Sequence, residues 1–180
     1  MNKIVKLAVV LFLVCAIIAG ILGVVNLITA DKIAEQDRIK TEKAYAAVLD
    51  AEGYEDAPFD AAAFPTIDNI AKAEGDKGYV VTTTFSGAQG SITMAVGVDT
   101  EFKCTGISII SHSETSGLGA NAASTAKVGV DFRTQFVGQD SSCAITKAGG
   151  DIDALTGATI TSRSIANATA TAIKAVESLG

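Results

Sequence analysis

Hydrophobic and polar positions divide the chain into three regimes. From Leu7 to Ala30 there are 24 residues without a charge, which at ~1.5 Å per helical residue reach about 36 Å, enough for a bilayer core. This predicts one transmembrane helix. Ala30 to Leu49 is rich in helix formers with a weak apolar stripe at Ala44, Ala47 and Val48, and continues as helix. Residues 50–77 mix Gly53, Pro58, Pro65 and Gly75 with acidic residues and hold no sustained period, so they read as a loop-rich entry. Period-two alternation follows. Tyr79, Val81, Thr83 and Phe85 share one side of the run Gly78 to Phe85, and Ile92, Met94, Val96 and Val98 do the same after a Ser86–Gly90 turn. A third run, Phe102 to Ile110, completes a predicted three-stranded antiparallel meander. Val128 to Val137 reads as a short helix whose Phe132 and Phe136, four apart, pack in the core. Ser142 to Thr146 reads as a short strand, Gly149-Gly150 as a turn, and Ile165, Thr169, Ala172, Val176 and Leu179 as the stripe of a closing helix. The class is α+β: one N-terminal transmembrane helix, then a domain with a mixed, mainly antiparallel sheet packed by helices.

Charge and flanks refine the first regime. A cleaved signal peptide also has a basic start and an apolar core, but this core is longer than the usual ~7 to 15 residues. No Ala-x-Ala site ends it, and Phe12-Leu13-Val14 before Cys15 is not a lipobox. Lys3 and Lys6 precede the span, whereas Asp31 and Glu35 surround Lys32 after it, so the N-terminus is expected in the cytoplasm and the main domain outside. Beyond residue 30 the chain carries 12 Lys+Arg against 20 Asp+Glu. That balance excludes nucleic acid and anionic lipid surfaces as expected partners. Cys104 and Cys143 permit a disulfide in an oxidising compartment or remain as buried thiols, and Cys15 fills space in the span. With a single histidine and no Cys-x-x-Cys, no metal or cluster site is expected.

Candidate chemistry converges on Asp153 to Ser162, Asp-Ala-Leu-Thr-Gly-Ala-Thr-Ile-Thr-Ser. Hydroxyls of Thr156, Thr159, Thr161 and Ser162 surround Gly157-Ala158 just before the closing helix. Two local readings stand. Thr161 or Ser162 caps a helix, or small residues and open amides at a helix start receive an anion. A second polar stretch, Ser111 to Gly119, follows the third strand and reads as a surface loop ending in Gly-Leu-Gly. No Ser-His-Asp set and no Gly-x-Gly-x-x-Gly fingerprint occurs, which argues against a hydrolase or an NAD site on this chain.

The pattern Asp-x-x-Thr-Gly-Ala-Thr-x-Thr resembles the attachment motif of covalent FMN-binding domains, found in the G subunit of Rnf complexes and the C subunit of Na+-translocating NADH:quinone reductase. The family also carries a His-x-Glu-Thr-Pro-Gly-Leu-Gly loop. His112, Glu114, Thr115, Gly117, Leu118 and Gly119 match it, Ser116 stands where proline is typical, and Ala120-Asn121-Ala122-Ala123 stands where the family tends to have charge. With the anchor in the family's place, the likeness covers nearly the whole chain, and 180 residues suit the Rnf G subunit better than the quinone-reductase C subunit. The resemblance implies that Thr159 carries one FMN through a phosphoester. Thr156, Gly157 and Ala158 would then form the close-approach backbone, Thr161 and Ser162 the cap, and the 111–119 loop would lie by the ring. Glu114 and Thr115 would offer an acceptor and a donor to the isoalloxazine or ribityl edges, with Leu118 over one face. It further implies a division into an anchor (1–30), a connection (31–77) and an FMN-binding domain (78–180). The implied role is that of an electron carrier between reduced ferredoxin and NAD in a complex moving Na+ or H+, with other Rnf subunits as partners and a flavin transferase installing FMN. The inner membrane is the implied location. A structural subunit without covalent flavin is the competing class.

Overall fold

The computed structural model describes residues 3–179. Contacts divide the chain after Lys40 into two units. The first consists of helix α1 (Lys3–Val48) up to Lys40. It contains a stretch of mean hydropathy 3.1 that is long and apolar enough to cross a membrane, with none of that stretch buried by the rest of the chain.

The second unit starts with the end of α1. Ala44, Tyr45 and Val48 are buried there. The predicted stripe is therefore shifted: Ala47 is exposed and Tyr45 takes its place, because residues 44, 45 and 48 share one helical face. That face packs on Ala71, Val80 and Ala95 of the sheet. Tyr45 adds a 2.7 Å hydrogen bond between its hydroxyl and that of Thr82, and an edge-on contact with Tyr54 at 5.2 Å.

The sheet has five strands in sequential order, β1 (Tyr54–Asp56), β2 (Ile67–Ala73), β3 (Tyr79–Ser86), β4 (Ser91–Val98) and β5 (Cys104–His112), each antiparallel to the next. The three expected strands are present. Residues 50–77, expected as loop, supply β1 and β2. Alternation is hidden there because β2 is buried on both sides, with Ile67, Ile70, Ala71 and Ala73 all inside, and a register irregularity between Ile67 and Asn69 breaks the period. Elsewhere alternation sorts the faces: Val81, Ile92, Met94, Val96 and Val98 enter the main core, while Val80 and Ala95 face the end of α1.

Helix α2 (Lys127–Thr134) sends Phe132, and Phe136 just beyond it, into the main core, where the rings meet edge to face at 5.3 Å. Helix α3 (Thr159–Glu177) packs across β3, β4 and β5 through Ile165, Ala166, Thr169, Ala172, Ile173 and Val176. The small residues bring its axis close to the sheet. The expected strand over 142–146 is reduced to one parallel bridge between Ile145 and Ile152, followed by a 3-10 turn at Thr146–Ala148; this bridge is the one parallel element among the described residues.

Cys104 and Cys143 are both buried and are not joined in a disulfide. Burial pushes the Cys104 thiol up to about 12 and the Cys143 thiol up to about 11. Since the thiolate is the reactive form, alkylation of the folded chain near neutral pH should leave both unlabelled, and labelling should follow unfolding. Peptide mapping after native and denaturing alkylation checks this; ready modification of either residue in the folded chain would contradict it.

Candidate functional site

At one end of the sheet three segments meet around an open cleft of about 360 Å³, lined by Ala88, Gln89, Glu114, Thr115, Leu118, Gly119, Gly157, Ala158, Thr159, Ile160 and Thr161. The meander explains the meeting. Ile92 pairs with His112, so the β3–β4 turn and the exit of β5 fall at the same edge, and α3 begins beside them.

Glu114 ties the three together. Its side chain is buried, with the residue 9% exposed. One carboxylate oxygen, Oε1, accepts the amides of Ala88 at 2.8 Å and Gln89 at 3.0 Å, and Oε2 accepts the Thr161 hydroxyl at 2.6 Å. Burial by itself would raise its pKa; the Thr161 hydroxyl and the amides of Gln89, Ala88 and Gly90 outweigh burial and hold the carboxyl below its ordinary 4.5. Gly119 sits against this group, and a Cβ there would collide with Glu114 Oε2 and stand 2.7 Å from the Thr161 hydroxyl. His112 is exposed and receives the Glu114 amide on Nδ1 at 3.3 Å, outside the cleft.

The second wall is the turn before α3. Gly157 adopts φ +74°, and a Cβ on it would stand 3.0 Å from the Leu118 side chain, so a glycine both makes the turn and lets the two loops touch. The expected cap is different in kind. The helix starts at Thr159 with Ala158 before it and no side-chain cap. Thr161 and Ser162 lie inside the first turn: Thr161 is turned to Glu114, while the buried Ser162 hydroxyl accepts the Leu155 amide at 3.0 Å and donates to the Ala158 carbonyl at 2.9 Å. The first backbone bond into the helix runs from Ser162 N–H to Ala158 C=O at 3.0 Å. The amides of Thr159, Ile160 and Thr161 precede it and are the donors a helix start leaves open.

Of the residues singled out in the sequence, Glu114, Thr115, Leu118, Gly119, Gly157, Ala158, Thr159 and Thr161 share the cleft, and His112, Gly117, Thr156 and Ser162 do not line it. Ala88, Gln89 and Ile160 join the lining without a motif to mark them. For the first two the meander carries a signal, since alternate connections of an up-and-down sheet lie at one end. Glu114 is the one ionisable side chain in the lining, so an anion here is met by open amides and the helix dipole, with Thr159 half-buried at their centre. Small residues, hydroxyls and amides fit a phosphate, and exposed Leu118 and Ile160 offer apolar surface to an aromatic ring.

This cleft lies inside residues 87–174, which match the model of the FMN-binding domain; residues 1–48 match the RnfG N-terminal region. The segment that holds the cleft is thus of the FMN-binding class. The G subunit of the ion-translocating oxidoreductase complex of Escherichia coli K12 is 31% identical over 83% of this chain and 79% of its own length. Its counterpart in Methanosarcina acetivorans is 39% identical over 53% of this chain and 50% of its own length. The G subunit of the Na+-translocating ferredoxin:NAD+ oxidoreductase complex of Acetobacterium woodii is 29% identical over 97% of this chain and 92% of its own length. The chain belongs to the family of G subunits of ion-translocating oxidoreductase complexes. The crystal structure of the C subunit of the Na+-translocating NADH-quinone reductase of Parabacteroides distasonis superposes with a TM-score of 0.52 over 83% of this chain and 92% of that one at 18% identity, a likeness of fold.

A depressed carboxyl stabilises the fold above its unfolded value and loses that contribution as pH falls through the folded one. Glu114→Ala should therefore lower the unfolding free energy near neutral pH by about 1.5–3 kcal/mol, the range for hydrogen bonds to a charged group. The gap to wild type should narrow below the ordinary 4.5. Urea unfolding of both proteins across that range measures it; a pH-independent gap would remove the carboxylate's charge from the explanation.

Proposed function

We propose that Thr159 carries FMN as a phosphoester and that the chain relays electrons as the membrane-anchored flavin subunit of its complex. The observation that carries this reading is the position of Thr159: first residue of α3, half-buried, within the cleft, among open helix-start amides. An ester phosphate at its hydroxyl would lie where the amides of Ile160 and Thr161 and the helix dipole stabilise negative charge without a basic side chain.

The residues divide the work. Gly157 and Ala158 let the backbone approach the phosphate, and Glu114 holds the walls. Thr115 and Gln89 stand where they would donate to or accept from the ribityl chain or ring edge, and Leu118 and Ile160 would flank the ring. Thr161 is committed to Glu114 and Ser162 to the turn, so both act by shaping the cleft. Bound flavin supplies the redox chemistry; the protein binds, orients and retains it.

In this reading the donors and acceptors are other subunits of a ferredoxin:NAD+ oxidoreductase of the Rnf type, coupled to Na+ or H+ movement. A separate transferase would transfer the FMN phosphoryl group of flavin adenine dinucleotide to the Thr159 hydroxyl, breaking the pyrophosphate and releasing AMP. The basic residues Lys3 and Lys6 before the apolar stretch favour an N-terminus in the cytoplasm, with the domain on the opposite side of the cell membrane.

Co-expression of the full chain with a flavin transferase tests the attachment. Wild type should show a flavin-fluorescent band after denaturing electrophoresis and a mass increment of one FMN on the peptide holding Thr159, and Thr159→Ala should show neither. A flavin that dissociates on denaturation would mean non-covalent binding; a label on another residue would move the site.

A further inference from the structure

The two walls of the cleft are separated by about 40 residues of sequence, yet α2 and the residue just after it bond to both from behind. On one side, Arg133 donates through Nη1 to the carbonyls of Ala122 at 2.5 Å and Ser124 at 2.9 Å, at the end of the 3-10 turn Gly119–Ala123 that closes the Glu114 loop. Gly129 brings the helix close to the same turn: a Cβ there would collide with the carbonyl oxygens of Ser124 and Asn121. On the other side, the Gln135 carboxamide accepts the Asp153 amide at 2.7 Å and donates to the Asp153 carbonyl at 3.4 Å. Asp153 opens the turn that ends at Thr159, and Ser162 fixes the remainder at Leu155 and Ala158.

Phe132 and Phe136 flank these polar residues and are anchored in the core. The register of α2 is therefore set by packing, and its two polar arms reach out from a fixed base. A side-chain amide that mimics a strand partner by bonding both N–H and C=O of one residue fixes position and orientation together. Neither Arg133 nor Gln135 is itself among the residues that line the cleft.

We propose that α2 is a splint for the flavin site, with Arg133 and Gln135 as positioning residues: Arg133 holds the Gly119–Ser124 wall, Gln135 holds the Asp153–Thr159 wall, and together they fix the gap in which the flavin is immobilised. This rests on the proposed attachment at Thr159. The splint acts on the loaded site; ester formation needs an accessible Thr159 hydroxyl and leaves both arms unchanged.

Hydrogen exchange and flavin spectroscopy on the full chain in detergent, made with a flavin transferase, test the proposal. Gln135→Ala should raise exchange of the hydrogen-bonded amides of that wall, Asp153, Leu155 and Ala158, about tenfold, the equivalent of losing one to two net hydrogen bonds, with exchange over Gly119–Ser124 unchanged. Arg133→Ala should do the reverse. In both, flavin should remain attached at Thr159 by mass, with lower fluorescence anisotropy than wild type. Gln135→Glu, which keeps the acceptor for the Asp153 amide, should recover most of the protection of the Asp153 amide.

Exchange and anisotropy equal to wild type in Gln135→Ala would overturn the splint while leaving the attachment intact. Exchange that rises uniformly over the domain would overturn it too, since the arms would then be general stabilisers. Altered exchange in a chain whose wild-type form carries no flavin at Thr159 would keep the mechanical role of α2 and overturn its assignment to the flavin.

Discussion

The site depends on a single buried carboxylate. Glu114 accepts three hydrogen bonds from two segments remote in sequence, the Ala88–Gln89 turn and the first turn of α3. A buried charge is tolerable because its acceptor sites are filled by dipoles that point at it. It gathers loops that share no continuous secondary structure. Apolar contacts could bury the same area, but they would not fix direction, and loops built from Gly, Ser, Thr and Ala have little apolar surface to contribute.

Satisfying Glu114 also fixes what surrounds it. Gly119 must be glycine because its Cβ position is taken by the carboxylate and the Thr161 hydroxyl, and Leu118 can approach Gly157 because neither loop carries bulk there. Glu114 engages the Thr161 hydroxyl, while Thr159 lines the cleft two residues earlier. The first turn of α3 is therefore held at position three and open at position one, a division set by hydrogen-bonding partners.

Much of this is legible in the residues and some is not. The apolar span, the three alternating strands and the closing helix follow from period and length alone, since each buries one face or crosses one barrier. β2 escapes that logic because a strand buried on both faces does not alternate, and Tyr45 escapes it because an aromatic inside a charged stretch does not look like a docking face. Thr159, Glu114 and Leu118 stand out through a family resemblance that no local spacing supplies. Ser162 reads as a cap from its place in a hydroxyl-rich run, but a serine fits equally on the inner side of a helix when a carbonyl and an amide are there to receive it. Gln135 and Arg133 carry no sequence signal, because bonds from side chain to distant backbone depend on tertiary register.

An open cleft and a tether belong together. A flavin held without a covalent bond is retained by enclosure, with most of its surface buried, and enclosure keeps other redox centres at a distance. Here the cleft is open and flanked by exposed Leu118 and Ile160, so non-covalent retention would be weak. The proposed ester at Thr159 would remove that requirement: retention would come from a covalent bond, with the helix start and its amides placed to hold the phosphate, and the site could stay open to a partner centre. A membrane anchor in the apolar span of α1 would act in the same direction, since holding a carrier beside its partners replaces a three-dimensional search with a high effective concentration. The rigidity that enclosure would otherwise supply must then come from the walls, which is the role left to Glu114 in front and to the two arms of α2 behind.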